Sequence, residues 1–289
     1  MGLDVVRKIR DKVNQISEID NEIKHLKKLL PLPTLQFEVH LAEHCNLNCM
    51  GCDNFSCIAE PSLLDLVQYN KDLERLSYLC QGEAKRIHLM GGEPLLHPEA
   101  AKAAVITRER FPYALIDIYT NGVLLLKQTE EFWSTLKDAN IGIMVTKYPI
   151  AFDYEKAEEL ANNHGVNYQY CTVPEHEKEL FHFTLDLSGQ QNEVDSFLKC
   201  HRANACIALK DGKLFTCSLV ANIGHFNKCF HENLPVTDRN YINIYEAESL
   251  QEILEFLAKP IPFCRFCNMN ADTVTYKWQQ TKREKTEWT

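Results

Sequence analysis

The segment Cys45-Asn46-Leu47-Asn48-Cys49-Met50-Gly51-Cys52 places three thiols on one short stretch with the spacing CxxxCxxC. Thiolate sulfur is a soft ligand, and three thiolates this close together are typical of an iron–sulfur cluster. A four-iron cluster takes four ligands, so three cysteines would leave one iron open to a ligand from outside the protein. A structural zinc site would need a fourth ligand and prefers CxxC pairs. Cys57 is the nearest spare thiol, so the spacing alone leaves zinc as an alternative.

Two further motifs follow predicted strands. Gly91-Gly92-Glu93-Pro94 comes after a strand at 85–90, and Thr120-Asn121-Gly122 comes after a strand at 114–119. Glycines allow the backbone to approach a ligand closely, and a carboxylate accepts hydrogen bonds from a cationic amine. Taken alone, each motif also fits an ordinary turn.

A second set of cysteines lies toward the C-terminus. Cys200, Cys206 and Cys217 surround a predicted hairpin at 207–216 that turns at Asp-Gly, and Cys264-Arg265-Phe266-Cys267 adds a CxxC pair. A hairpin that ends in a thiol and a distant CxxC can bring four thiolates around one metal centre. Zinc on the same thiolates is the alternative.

Alternating strands and helices must position these motifs. The first strand, at 35–42, is apolar at every second residue and leads directly into the cysteine loop. We predict strands at 35–42, 85–90, 114–119, 141–146, 166–172 and 182–187, and helices at 62–80, 98–110, 129–139, 153–163 and 191–199. Six alternations indicate a parallel α/β fold that is closed or nearly closed, like a (β/α) barrel. In such barrels the chemistry takes place at the C-terminal ends of the strands.

The remaining chain suggests three regions. Residues 3–30 carry apolar side chains at spacings of three and four, which predicts one amphipathic helix that packs on the main domain or forms a dimer contact. Another helix is predicted at 248–258. We therefore divide the chain into an N-terminal helix (1–34), an α/β barrel (35–199) and a small cysteine-bearing domain (200–289).

Composition excludes several classes of function. The 289 residues are 45% hydrophobic and 25% charged, which is ordinary for a globular protein, and the net charge of −9 argues against a nucleic-acid partner. We expect no membrane span and no signal peptide, and hence a cytoplasmic location. Twelve cysteines in a reducing compartment favour metal binding or catalysis over disulfides.

In this order the motifs resemble the radical S-adenosylmethionine (SAM) enzymes, in which CxxxCxxC follows the first strand and GGE the second. The resemblance implies a partial (β/α)6 barrel and a 4Fe–4S cluster whose open iron binds SAM. An electron donor such as flavodoxin or ferredoxin then drives cleavage of SAM to a 5′-deoxyadenosyl radical. The resemblance also assigns Cys45, Cys49 and Cys52 as ligands of the cluster. It assigns SAM binding to Gly91, Gly92, Glu93, Pro94, Thr120 and Asn121. Gly51 departs from the family, which commonly has an aromatic residue there, near the adenine.

The second cysteine set resembles the twitch domain, a short form of the SPASM domain that holds an auxiliary 4Fe–4S cluster. The implied ligands are Cys200, Cys217, Cys264 and Cys267. Cys206 competes with Cys200 for the first position. We prefer Cys200, because Cys206 falls within an alternating strand where a small buried residue fits.

Twitch enzymes of this length resemble the dehydrogenases and epimerases of aminocyclitols and aminosugars. We therefore expect oxidation or epimerisation of a carbohydrate, aminosugar or sugar nucleotide, a small-molecule substrate. If the protein is an epimerase, Cys206 is the candidate hydrogen-atom donor. Lys147 and Tyr148, after the fourth strand, are our first candidates for substrate contacts.

Three alternative functions are compatible with the sequence. A radical SAM enzyme that modifies ribosomal peptides usually carries an N-terminal recognition domain of strands and helices, whereas the first 34 residues here predict one helix. A non-catalytic iron–sulfur electron carrier would not bind SAM. A zinc-bound scaffold protein would be colourless when purified without oxygen.

Overall fold

The computed structural model describes residues 2–171, 179–181, 184–269 and 275–289. The strands are β1 (Gln36–Ala42), β2 (Arg86–Gly91), β3 (Leu115–Thr120), β4 (Gly142–Val145), β5 (Tyr168–Tyr170), β6 (Glu179–Phe181), β7 (Ala208–Lys210), β8 (Lys213–Phe215), β9 (Tyr241–Asn243) and β10 (Thr275–Lys277). The helices are α1 (Gly2–Lys27), α2 (Leu66–Cys80), α3 (Ala100–Arg110), α4 (Glu130–Asp138), α5 (Tyr154–Asn163), α6 (Glu193–Lys199), α7 (Ser218–Phe230) and α8 (Leu250–Leu257).

One eight-stranded sheet forms the framework, in the order β5-β4-β3-β2-β1-β7-β8-β9. Strands β1 to β5 are parallel neighbours in chain order, and helices α2 to α5 lie in their connections. On the other side of β1, the hairpin of β7 and β8 joins through a parallel pairing of Glu38 with Ala208, and β9 extends it antiparallel. The predicted α/β class and the parallel partial barrel are confirmed.

The strand predicted at 182–187 is not part of the eight-stranded sheet, where it was expected as the sixth strand of the barrel. Residues 182 and 183 lie outside the described residues, and Leu185 forms only an isolated bridge with Cys267. Strand β6 pairs with β10 in a separate two-stranded sheet. The position beside β1 is taken by β7, so the boundary predicted at residues 199 and 200 falls between parts that share one sheet.

The apolar side chains form two clusters. The larger one fills the space between strands β1 to β4 and helices α2 to α4, with Phe37 packed edge-on against Phe111 at 5.7 Å. The smaller one gathers Phe55, Phe226 and Trp288 around α7. Each cluster draws side chains from distant parts of the chain and excludes water from them, which is the main stabilising contribution in both.

Strand β1 is buried on both faces, although its alternating sequence predicts one polar, exposed face. Glu38 and His40 are only 6% and 9% exposed. Glu38 approaches Ser218 at the start of α7 and the guanidinium of Arg202. The polar face of β1 is therefore covered by the C-terminal part of the chain, which the local pattern does not reveal.

Helix α1 presents apolar side chains to solvent, so the predicted packing of this face on the main domain is not observed. Val13, Ile16, Ile19 and Leu26 are each more than half exposed. Within the described residues, no helix combines the length and the apolar character that a membrane span requires.

Candidate active site

The motifs after β1, β2 and β3 converge on one cavity of about 220 Å³ at the C-terminal ends of the strands. The cavity is lined by Cys45, Cys49, Gly51, Cys52, Asp53, Asn54, Ser56, Cys57, Met90, Gly91, Gly92, Tyr119, Thr120, Asn121, Thr146 and Tyr148. The carboxyl ends of neighbouring parallel strands meet at one edge of the sheet, which explains why motifs far apart in sequence share it.

The three-cysteine loop is held by side chains from outside it. Asn121 Nδ2 donates to Asn46 Oδ1 at 2.7 Å and approaches Cys45 Sγ at 3.8 Å. The Leu47 amide donates to the same sulfur at 3.5 Å. Burial raises the pKa of Cys45 to about 12. A neutral thiol is therefore favoured without a metal, and a bound cation would supply the charge that stabilises the thiolate.

The glycines of the GGE turn are required by a close approach to protein backbone. Gly92 N donates to Ala42 O at 2.8 Å, and a Cβ on Gly92 would lie 2.1 Å from His44 O. A Cβ on Gly91 would lie 2.3 Å from Ala42 O. The turn is thus pressed against the end of β1, which fixes the start of the cysteine loop.

Glu93 ties the ends of β2 and β3 together. Its carboxylate accepts hydrogen bonds from Leu95 N at 3.0 Å, Thr120 Oγ1 at 2.7 Å and Asn121 N at 2.9 Å. Burial raises the pKa of Glu93 to about 7, against the opposing effect of these donors. The arrangement orients Asn121 toward the cysteine loop.

The predicted SAM contacts therefore divide into two groups. Gly91, Gly92, Thr120 and Asn121 line the cavity. Glu93 is completely buried behind them, and Pro94 begins a short 3-10 turn, Pro94–Leu96, without being among the described lining residues.

Of the two predicted substrate contacts, Tyr148 lines the cavity and Lys147 does not. Burial, reinforced by the neighbouring side chains of Cys49, Cys52 and Cys45, holds the pKa of Tyr148 well above its ordinary value. The Lys147 ammonium instead lies over the rings of Tyr154 and Tyr170, at 5.9 and 6.0 Å. Sequence reasoning missed Tyr119, which the alternation of β3 places on the inner face, and Cys57, for which no signal distinguished lining from packing.

The second cysteine set lines a separate small cavity. Cys200, Cys217, Cys264 and Cys267 all contribute to its wall, together with apolar side chains of the smaller cluster. Burial raises the pKa of Cys264 to about 12 and those of Cys217 and Cys267 still further. Four thiols from three parts of the chain thus share one apolar enclosure, a donor set that suits a cluster or zinc.

Helix and turn ends place these four thiols. Cys200 caps the C-terminus of α6, Cys217 precedes the first turn of α7, and Cys264 and Cys267 belong to and follow the turn Pro262–Phe266. The N-terminus of α7 carries partial positive charge, which favours an anionic thiolate centre. Among the described residues, no three His, Cys, Asp or Glu side chains close tightly around a point that could hold a single metal ion.

Cys206 does not line either cavity within the described residues. Its amide donates to Arg202 O at 2.8 Å, and the neighbouring Ala205 carbonyl faces Gln36, at the start of β1. The three-cysteine loop follows the opposite end of the same strand. Burial raises the pKa of Cys206 to about 11.

An ion pair joins the surroundings of the two cysteine sets. The buried guanidinium of Arg202 pairs with Asp53, the residue after Cys52, and the thiols of Cys206, Cys217 and Cys267 and the carboxylate of Glu38 belong to its electrostatic surroundings. Arg202 therefore lies between the segment after Cys52 and the second cysteine set.

Comparison with known proteins adds the following findings. Residues 39–170 match the profile of the Radical SAM superfamily. The chain is 33% identical over 86 residues to GTP 3′,8-cyclase of Chlorobaculum tepidum, a match that covers 30% of this chain and only a quarter of that protein. The solved structure of BtrN in complex with AdoMet and 2-DOIA is 22% identical, with a TM-score of 0.53, over 83% of this chain and 94% of BtrN. The solved structure of native anSMEcpe with bound AdoMet is 13% identical, with a TM-score of 0.46, over 81% of this chain and 83% of anSMEcpe. The likeness to BtrN shows a shared fold.

Proposed function

Because residues 39–170 form a radical SAM domain, we propose that this chain is an enzyme that cleaves SAM reductively and uses the resulting radical to abstract a hydrogen atom from a substrate C–H bond. The observation that carries the proposal is the single cavity where Cys45, Cys49 and Cys52 meet the Gly91-Gly92 turn and Asn121. A 4Fe–4S cluster with SAM would supply the electron and the radical chemistry there.

The residues of the cavity then have distinct tasks. The three thiolates would hold the cluster, and the Gly91-Gly92 backbone, Thr120 and Asn121 would bind the amino-acid part of SAM. Glu93 keeps Asn121 in place through its amide. Tyr148 and Cys57 narrow the cavity, which helps to exclude water from a reactive radical.

We propose that Cys200, Cys217, Cys264 and Cys267 hold an auxiliary 4Fe–4S cluster. Their common enclosure supports this assignment over one that includes Cys206. A small soluble reductant such as flavodoxin or ferredoxin would deliver electrons. Because the ligating thiols must stay reduced, we also propose that the enzyme works in the cytoplasm.

For the substrate we propose a carbohydrate, aminosugar or sugar nucleotide. The inner face of the sheet beside the cavity is polar, with the rings of His88 and Tyr119 in contact at 4.3 Å, and such side chains suit a hydroxylated molecule. The BtrN structure contains 2-DOIA, which we take as a guide to the ligand class. We favour oxidation over an epimerisation with Cys206 as hydrogen-atom donor, because Cys206 does not line the cavity of the first cysteine set among the described residues. In an oxidation, the substrate would lose one hydrogen atom and then one electron and one proton, and a cluster held by Cys200, Cys217, Cys264 and Cys267 would be suited to accept that electron.

Iron and sulfide content after anaerobic reconstitution tests the proposal, followed by a SAM-cleavage assay with dithionite. We expect about eight irons in the wild type, and about four in a Cys45→Ala/Cys49→Ala/Cys52→Ala variant and in a Cys264→Ala/Cys267→Ala variant. Only the first variant should lose 5′-deoxyadenosine formation completely. Cys229→Ala changes an exposed thiol outside both sets and is the matched control. Zinc without iron, and no cleavage by the wild type, would overturn the proposal.

A further inference from the structure

Residues 278–289, here called the C-terminal strap, lie across the three-cysteine loop. Met50 N donates to Gln279 O at 2.9 Å, and Thr281 N donates to Asn48 O at 2.8 Å. These two bonds flank an antiparallel bridge between Cys49 and Gln280. The loop is thus paired, through its backbone, with a segment about 230 residues further along the chain.

Glu287 anchors the strap to the same loop. Its carboxylate accepts a hydrogen bond from Gly51 N at 3.4 Å, next to the last cysteine of the motif. It also accepts bonds from Thr281 Oγ1 at 2.5 Å and Lys282 N at 2.7 Å, which close the strap on itself. The residue is only 7% exposed, so these bonds are largely shielded from competing water.

Trp288 fixes the end of the strap. Its indole Nε1 donates to the carbonyl of Cys52 at 3.0 Å. Its ring is 2% exposed and packs against Phe55 and Phe226. Burial of an indole of this size supplies the apolar contribution that holds the strap in place.

Trp278 contacts a cysteine sulfur directly. Its indole Nε1 donates to Cys49 Sγ at 3.1 Å, a shorter distance than the two nitrogen contacts to Cys45 Sγ at 3.5 and 3.8 Å. Hydrogen bonds to cysteine sulfurs are among the factors that set the reduction potential of an iron–sulfur cluster, because they stabilise the more negative, reduced state.

We propose that the C-terminal strap holds the three-cysteine loop in its ligating conformation, and that Trp278 is a positioning residue that raises the reduction potential of the cluster held there. This inference rests on the proposed function, since it requires a cluster at the first cysteine set. It adds a role that the barrel motifs alone do not contain.

The variant Trp278→Phe tests the tuning, because it removes the N–H donor and keeps an aromatic ring. We expect the midpoint potential of the first cluster, followed by electron paramagnetic resonance and identified by its response to SAM, to become more negative. A tenfold change in the reduction equilibrium corresponds to about 59 mV for one electron. Trp133→Phe is the control, because it makes the same change at a more deeply buried indole whose Nε1 has no hydrogen-bond partner among the described residues. An unchanged potential in Trp278→Phe at full iron content would overturn the tuning role.

Hydrogen exchange on the apoprotein tests the holding role without any cluster. We expect Glu287→Ala to speed exchange of the Met50 and Gly51 amides at least tenfold, and Glu287→Gln, which keeps an acceptor oxygen, to restore part of the protection. Unchanged hydrogen exchange in Glu287→Ala would overturn the proposal that the strap holds the cysteine loop. A wild type that binds no iron would instead refute the proposed function, so the two failures are distinguishable.

Discussion

At the scale of single residues, the site depends on positions where the backbone of one strand end meets that of another. Gly92 has no space for a side chain, since the His44 carbonyl would lie 2.1 Å from a Cβ atom. His44 is the residue directly before Cys45, so any displacement is transmitted to the cysteine loop. Gly92 is therefore necessary for the arrangement of the three thiols, although it contributes no side chain to the site.

We predict that Gly92→Ala destabilises the protein by about 1–3 kcal/mol, the usual effect of forcing extra volume into a packed site. It should also weaken SAM binding, measured by calorimetry on the reconstituted enzyme. Gly224→Ala is the control, since a Cβ at this exposed helical position meets nothing within 4 Å. Alanine is the better helix former, so this variant should gain up to about 1 kcal/mol. Equal stability of the two variants in thermal unfolding would contradict a destabilising contact between a side chain at position 92 and the His44 carbonyl.

The residues that form the candidate site could be predicted from the sequence, because each motif lies within a few consecutive residues. CxxxCxxC, GGE and Thr-Asn-Gly each lie on one loop, and the alternation of strands and helices places those loops at one edge. The task of Glu93 could not be predicted, because its hydrogen bond to the Asn121 amide spans 28 residues. The place of Cys206 depends on how β7 pairs with β1, which local spacing does not record.

At the scale of secondary-structure elements, α7 and β7 are joined to the start of the cysteine loop by a charged network around Glu43. Its carboxylate accepts from His225 Nε2 at 2.6 Å, and the Lys210 ammonium lies at 3.0 Å. Burial alone would raise the pKa of Glu43, but hydrogen bonds from His225 and His40 and the charge of Lys210 hold it well below its usual value.

We predict that Glu43→Gln costs about 2 kcal/mol of stability at pH 7, because charge-assisted hydrogen bonds to a buried carboxylate are lost. A lowered pKa means that the stabilisation is fully present above pH 4.5 and is lost as the pH falls through the folded-state value. Thermal unfolding at pH 7 and pH 3.5 should therefore show a smaller gap between variant and wild type in acid. Glu60→Gln, whose pair with Lys228 is exposed, should show no measurable change at either pH. A gap that widened in acid would contradict the assigned direction.

The elements themselves were predictable in part. The five parallel strands and their helices have strong periodic patterns, and the structure places each within a few residues of its predicted position. Helix α7 was missed, although it covers the polar face of β1 and carries His225, which pairs with Glu43. Glu38 and His40 look like surface positions in the sequence, because nothing local shows that a helix about 180 residues later will bury them.

At the scale of the whole molecule, the smaller apolar cluster makes the first cysteine set depend on the C-terminal part of the chain. Phe55 follows Cys52 by three residues, yet its ring packs against Phe226 of α7 at 5.7 Å and against Trp288 at 6.0 Å. The charged run at 282–285 is typical of a solvated tail, but the strap that contains it closes over the cysteine loop and buries Glu287 and Trp288. Contacts of such long range leave no periodic signal in the sequence.

This dependence predicts an effect at a distance. Phe226→Ala should destabilise the protein by about 3–5 kcal/mol, as expected for a completely buried phenylalanine. Because the lost ring supports Phe55 and Trp288, hydrogen exchange should accelerate at the Phe55 and Ile58 amides, which close the turns after Cys52. The amount of iron retained by the first cysteine set should also be lower in this variant than in the wild type.

Phe111→Ala is the matched comparison, since Phe111 is equally buried but belongs to the larger cluster. It should lower the unfolding temperature to a similar extent and leave exchange after Cys52 unchanged, because its ring packs on Phe37 at the far side of the sheet from α7. Equal acceleration in both variants would mean that the molecule loosens as one unit. Acceleration in Phe226→Ala alone would mean that the C-terminal part of the chain is an integral support of the three-cysteine loop. Phe55, which follows this loop, and Phe226 and Trp288 of the C-terminal part would then form one core on which the loop depends.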